Sequence, residues 1–327
     1  MSEIPLPRAA KRAAPWWLIR HETMLAAILV VALIILGVLN NRFLTIDNLL
    51  NQGRLTTEVG LIALPMTFVI VTGGIDLSVG STVGLCAILL GYSWKNFDFP
   101  LPLAIVFCLL VGAAAGFFNG LVITRLKVPP LIMTIATLAL YRGLAEGISQ
   151  AHSVRGYPQW FYFVGQENLF GVPAQLWLLL IAIVIAGIAL DRTTFGRTLY
   201  AIGNNETAAR FSGLPVDRVK LIIYTLSGLM AGLSAFVLVS RVTTTRSDMG
   251  LGYELDVIAA VVLGGTSIFG GVGTIWGAVV GIAMIQLLKD GLALTGVKGD
   301  ATIVVIGAVL ILSTLVASSL QRRRDGV

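Results

Sequence analysis

VIVTGGIDLSVGSTVG, residues 69–84, sets a Gly-Gly break and an aspartate inside a long apolar run. A carboxylate at membrane depth costs about 2.5–3.5 kcal/mol on insertion scales, so it needs a structural or functional reason. A near-copy, LGGTSIFGGVGTIWG at residues 263–277, recurs late in the chain. Both carry GG-x5-G, as Gly73, Gly74 and Gly80 and as Gly264, Gly265 and Gly271. Glycine lowers helix propensity and admits positive φ, so each copy reads as a helix that breaks and resumes. Short, glycine-interrupted segments at corresponding positions of two halves point to a substrate pathway. Both hairpins run in the same direction, which suggests a parallel repeat.

The surrounding composition fixes the class. Of 327 residues, 56% are hydrophobic and 12% charged, with a mean hydropathy of +0.89. Soluble domains carry about 25% charged residues. Apolar runs of near-spanning length recur from end to end, so the chain reads as an all-α polytopic membrane protein. The net charge of +6 reflects topology rather than nucleic-acid binding. Arg8, Lys11, Arg12 and Arg20 crowd the N-terminus and Arg322, Arg323 and Arg324 the C-terminus, which places both ends in the cytoplasm by the positive-inside rule. The first apolar run lacks a small-residue cleavage site, which argues against a cleavable signal. Cys86 and Cys108 both sit in apolar runs, and His21 and His152 form no pair, so neither a disulfide framework nor a metal site is expected.

Taken in order, the sequence divides into a basic leader (1–23), one transmembrane domain (24–318) and a basic tail (319–327). A first helix covers about 24–39, and a polar connection, 40–57, is expected outside. The block 59–92 splits at Gly73–Gly74 into two helices. Further helices are expected at 103–124, 131–148, 174–190 and 221–239. The block 255–288 splits at Gly264–Gly265, and a last helix covers 301–318. That makes about ten transmembrane helices, two of them glycine-broken, and puts most lysines and arginines inside. The aromatic segment 149–173 is the longest outer loop, with rings suited to the membrane interface.

Asp76 has two readings: it lends a polar group to a translocation path, or Asp76 or Ser78 caps the resumed half-helix. Unwound backbone at this depth is tolerated where it is enclosed by protein or lines a cavity. Gly112, Gly116 and Gly120, like Gly273, Gly277 and Gly281, recur every fourth residue and predict close helix packing. Arg142 and Glu146, one turn apart, are expected to pair. The cytoplasmic loop 192–220 carries definite punctuation. Asn204 or Asn205 suits an N-cap, Glu206 a first turn, Gly213 with Pro215 a stop, and Asp217 the cap of the next helix. A short helix at this place reads either as a solvated connector or as a docking element for a cytoplasmic partner, and only the second needs such definite punctuation. No P-loop, HExxH or Ser/Cys–His arrangement is present, so the energy for transport belongs to another polypeptide. Few ionisable residues fall inside the spans, which disfavours an ion-coupled secondary carrier.

TGGIDLSVGS (72–81), TLALYRG (137–143), GNNETAARFSGLPVDRVK (203–220) and LGGTSIFGGVGTIWGAVVG (263–281) together resemble the signatures of ribose-type sugar ABC importer permeases, from first helix to last. Branched-chain amino-acid permeases are looser relatives and give the alternative reading. The resemblance implies a permease subunit that passes a monosaccharide across the bacterial inner membrane. It implies a two-subunit membrane core, a cytoplasmic ATP-binding subunit docked at 203–213, and a periplasmic sugar-binding protein; ATP is used by that partner, and no cofactor is expected here. It assigns ATPase coupling to Gly203, Asn204, Glu206, Ala208, Ala209, Arg210 and Gly213. It assigns the pathway to Gly73, Gly74, Asp76 and Ser78, with Gly264, Gly265 and Gly271 as repeat partners. Rhamnose stands slightly ahead of ribose as the sugar.

Overall fold

The computed structural model describes residues 43–294 without interruption, with 29–31, 33–38 and 40 before them and 301, 304, 307 and 308 after. The leader, the tail, the start of the first helix and most of the expected last helix lie outside the described residues. The main helices are α1 (Leu29–Val38), α2 (Ile46–Val71), α3 (Val79–Lys95), α4 (Leu101–Arg125), α5 (Pro130–Ser149) and the short α6 (Phe163–Gln166). They continue with α7 (Ala174–Arg192), α8 (Thr194–Asn204), α9 (Glu206–Phe211), α10 (Val216–Val242), α11 (Tyr253–Leu263) and α12 (Ile275–Leu294). Six of these, α2, α4, α5, α7, α10 and α12, are long and apolar enough to cross a membrane. At 17 and 11 residues, α3 and α11 are shorter, the price of the two breaks.

Hydropathy does not set which helices are enclosed. Over their spanning windows α4 and α7 are the most apolar, yet only 33% and 28% of each is buried. Side chains such as Leu110, Phe117, Ile181 and Ile185 lie exposed on the outer, apolar faces of these helices. α2 is less apolar but enclosed from Thr57 to Val71, with α10, α12, α7 and α11 around it. Lipid admits only apolar surface, whereas a helix wrapped in protein can carry threonine, glycine and glutamate that find partners.

The glycine stripes bring α4 and α10 together within this chain. A Cβ on Gly112 would collide with the Gly228 carbonyl oxygen, and one on Gly116 with the Tyr224 carbonyl oxygen. Gly277 and Gly281 of α12 likewise abut the backbone of Gly264 and Ala260 at α11.

Three expectations are corrected. The connection expected at 40–57 is helical from Ile46, capped by the Thr45 hydroxyl. Its polar residues signal contacts rather than a loop: Asn48 donates to Asp290 (2.8 Å), Gln286 to Gln52 (3.1 Å) and Arg54 to Asn168 (2.7 Å). Of the aromatics in 149–173, Trp160, Phe163 and Phe170 stay exposed as expected, but Tyr157 and Phe161 turn inward. Tyr157 stacks at 4.6 Å on both Trp94 and Phe161, and the Ser240 hydroxyl of α10 donates to the Phe161 carbonyl. The segment is folded, with β1 (Val154–Arg155) paired antiparallel to β4 (Thr244–Thr245), and β2 (Asn168–Leu169) to β3 (Val172–Pro173). Finally, Arg142 does not bond to Glu146. Its guanidinium donates to the carbonyls of Ser247, Met249 and Gly80, pinning the α10–α11 linker and α3 to α5.

Candidate functional site: two helix breaks and the helical segment against them

The two breaks share one backbone geometry. At the end of α2, Gly73 adopts φ +78°, its N–H donates to Ile70 O (2.8 Å) and that of Gly74 to Val69 O (3.0 Å). At the end of α11, Gly265 adopts φ +91°, its N–H donates to Val262 O (2.9 Å) and that of Thr266 to Val261 O (3.2 Å). Both are Schellman closures, in which a left-handed glycine ends the helix. The structural register is offset by one from the sequence repeat. Gly73 matches Gly265 rather than Gly264, and Gly74 matches Thr266. The chain resumes as helix at Val79 in the first copy and at Ile275 in the second.

Asp76 is 1% exposed and fully bonded. One carboxylate oxygen accepts the Ser78 N–H (3.1 Å) and hydroxyl (2.6 Å), and the other accepts the Ser227 hydroxyl of α10 (2.8 Å). Asn119 of α4 in turn donates to the Ser78 hydroxyl (2.8 Å), and Thr134 of α5 to the Ile75 carbonyl (3.0 Å). Three neighbouring helices thus hold the first break. Ser227 stands three turns into α10, roughly 16 Å from its start at 1.5 Å per residue. Ser78 is the N-cap residue of α3, but its side chain makes no capping bond. Two buried hydroxyls beside the breaks have no hydrogen-bond partner: Tyr224, against Gly74, and Thr266, against Gly273.

The segment after α7 is built as two helices, α8 and α9. Asn205, not Asn204, caps α9, accepting the Ala208 N–H at 2.9 Å. Gly213 ends it at φ +79°, with bonds from Gly213 N–H to Arg210 O (3.0 Å) and Leu214 N–H to Ala209 O (3.1 Å). Ala209 faces inward while Phe211 is 89% exposed. Glu206 accepts from Lys220 (2.6 Å) and Arg210 (2.8 Å), and Asp217 accepts from Arg210 and from Lys127 of the α4–α5 turn (3.0 Å). Asp217 therefore belongs to this network instead of capping α10, whose N-cap position is Pro215. Burial raises the Glu206 carboxyl, but the bonds from Lys220 and Arg210 outweigh it and hold the group below its ordinary value. The bonds to Asp217 and then Glu206 raise the Arg210 guanidinium.

The two sets of residues adjoin. The Gly271 N–H donates to the Val71 carbonyl (2.9 Å), joining the second break to the end of α2. A Cβ on Gly203 would collide with Val71 O and Gly271 N, and one on Gly271 would meet the Asn204 side chain at 2.5 Å. Gly73, Gly271, Gly203 and Asn204 thus form one junction. Asp76 and Ser78 lie deeper, and Glu206, Ala208, Arg210 and Gly213 lie on the outer side of the segment.

Sequence reasoning missed two features. Tyr200 donates to the Gly273 carbonyl at 2.7 Å, although its place one turn before Gly203 was the available signal. Glu58, 1% exposed within α2, pairs with Arg241 of α10 and accepts from Tyr253 of α11 at 2.8 Å. The charge inside the spans is therefore greater than the sequence suggested, and at Glu58 it is paired.

Over residues 46–314 the chain matches the family described as branched-chain amino acid transport system / permease component. It is 39% identical over 300 residues to the "Autoinducer 2 import system permease protein LsrD" of Photorhabdus luminescens, covering 90% of each chain. To the protein of the same description from Escherichia coli K12 it is 37% identical over 310 residues, covering 93% of this chain and 94% of the relative. Permease subunits of this kind are transport components and not enzymes. The chain belongs to this transport-system permease family, as a multi-pass protein of the bacterial inner membrane.

Proposed function

We propose that the chain is the membrane-spanning subunit of an ATP-driven importer for a small, hydroxyl-rich, uncharged solute of monosaccharide size. Autoinducer 2, the cargo named for its relatives, is the first compound to test, ahead of rhamnose and ribose. The carrying observation is the junction at which the cytoplasmic segment touches both helix breaks through backbone. In this reading a cytoplasmic ATPase docks on 203–213, with Phe211 and the Glu206–Arg210 surface outermost. Its cycle re-angles the helices that end at Gly73 and Gly265. Asp76 and Ser78 hold the first break in shape. The Tyr224 and Thr266 hydroxyls are groups that an opening break would offer to a passing hydroxyl. About ten helices with both termini cytoplasmic, a single domain over 24–318, a second permease subunit and an external solute-binding protein complete the assembly.

The test is reconstitution with the ATPase and binding protein in vesicles. Uptake should require ATP and should be competed by autoinducer 2 or a monosaccharide. Competition by leucine instead would establish the amino-acid reading that the family description suggests. Uptake by this chain alone under an ion gradient would overturn the proposal; against that outcome, Glu58 is already neutralised by Arg241.

A further inference from the structure

Two elements could carry motion from a docked partner to the breaks. α9 bears the exposed surface, but its ion pairs to other elements run to Asp217 and Lys220 in the first turns of α10, which meets the first break only further along, through the side chains of Tyr224 and Ser227. α8 ends directly on them. Tyr200 donates to the Gly273 carbonyl, the bare Gly203 backbone lies against Val71 and Gly271, and Asn204 lies against Gly271. These contacts are made to main chain, so a displacement of α8 acts on the backbone path itself rather than on a side chain that can swing aside.

We infer that Tyr200 and Gly203 are positioning residues that clamp the last turn of α8 to both helix breaks, making α8 the lever and α9 its handle. The inference rests on the ATP-driven reading above and adds to it the residues that transmit the motion. The absence of a side chain at Gly203 is what lets α8 reach the Val71 carbonyl. The Tyr200 hydroxyl is the directional bond that keeps the second break following it.

A reporter is available at Phe269, which is 93% exposed at the tip of the second break, while both native cysteines are buried. In the complex with the ATP-binding partner, the Phe269→Cys protein is labelled with a water-soluble maleimide, without nucleotide and with ATP plus vanadate. The two rates should differ by about fivefold or more, the scale of a working coupling. Adding Tyr200→Phe, which removes one hydroxyl, should bring their ratio close to unity while the partner still co-purifies. Gly203→Ala should do the same; if that variant yields no folded protein, Tyr200→Phe carries the test alone. A purely structural role for Tyr200 would change the nucleotide-free rate and leave the ratio, and an unchanged ratio overturns the inference. If the reporter protein neither retains an ATP-binding partner nor responds to nucleotide, the ATP-driven reading fails, and this inference falls with it.

Discussion

Asp76 is the residue for which role and geometry separate most cleanly. Its two oxygens satisfy three donors, so removing them leaves the Ser78 amide and the Ser227 hydroxyl buried without an acceptor. Asp76→Ala should therefore cost about 2 kcal/mol, within the usual range for an orphaned buried donor, read as a fall in thermal stability in detergent. Asp76→Asn retains an acceptor oxygen, and the Ser227 hydroxyl can rotate to accept from the new amide. It should assemble and transport close to normal; loss of transport with normal stability would assign the charge itself a role. Tyr224→Phe is the complementary case. The lost hydroxyl has no hydrogen-bond partner, so stability should hold or rise slightly, while uptake should drop if that group serves the path. The aspartate and the glycines were legible because they violate an apolar pattern. Glu58 was not, because its neighbours Thr56 and Thr57 made the stretch look like a polar connection, and its partner lies 183 residues away.

At the scale of elements, close approach and charge make distinct predictions. Gly112 faces the α10 backbone, whereas Gly187 of α7 has nothing within 4 Å of an added Cβ. Gly112→Leu should force α4 from α10 and abolish recovery of monodisperse protein; Gly187→Leu, by the same chromatographic assay, should be tolerated. For α9 the sign follows from Glu206. Its pKa is held below its ordinary value of about 4.3, so the ion-paired form is stabilised above that pH and loses the advantage as pH falls through the lowered value. A nitroxide at Phe211→Cys should stay constrained at pH 7 and loosen below about pH 4.3. Adding Glu206→Gln should loosen it throughout and flatten the pH response. The cap at Asn205 and the stop at Gly213 could be read from spacing alone, since both are local. The network joining Glu206, Arg210, Asp217 and Lys127 could not, because it depends on how the α4–α5 turn meets α10.

For the whole molecule, hydropathy located the helices but not their neighbours. The breaks at Gly73 and Gly265 were visible as a repeat, yet the one-residue offset between sequence and backbone registers appears only in the hydrogen bonds. The junction with Gly203 depends on tertiary approach that no spacing encodes. The Glu58–Arg241 pair has a consequence for biogenesis. During synthesis α2 enters the bilayer carrying a carboxylate whose cation arrives only with α10, four long helices later in chain order. Until then the early segments cannot settle into their final contacts, and Glu58 lacks its cation. A chain stopped after Arg192 should therefore be cleared by membrane proteases, as pulse-chase would show, and Glu58→Gln should lengthen the life of that fragment. The ion pair bears on the order of assembly: the most enclosed of the six described spans is among the first made and waits for α10.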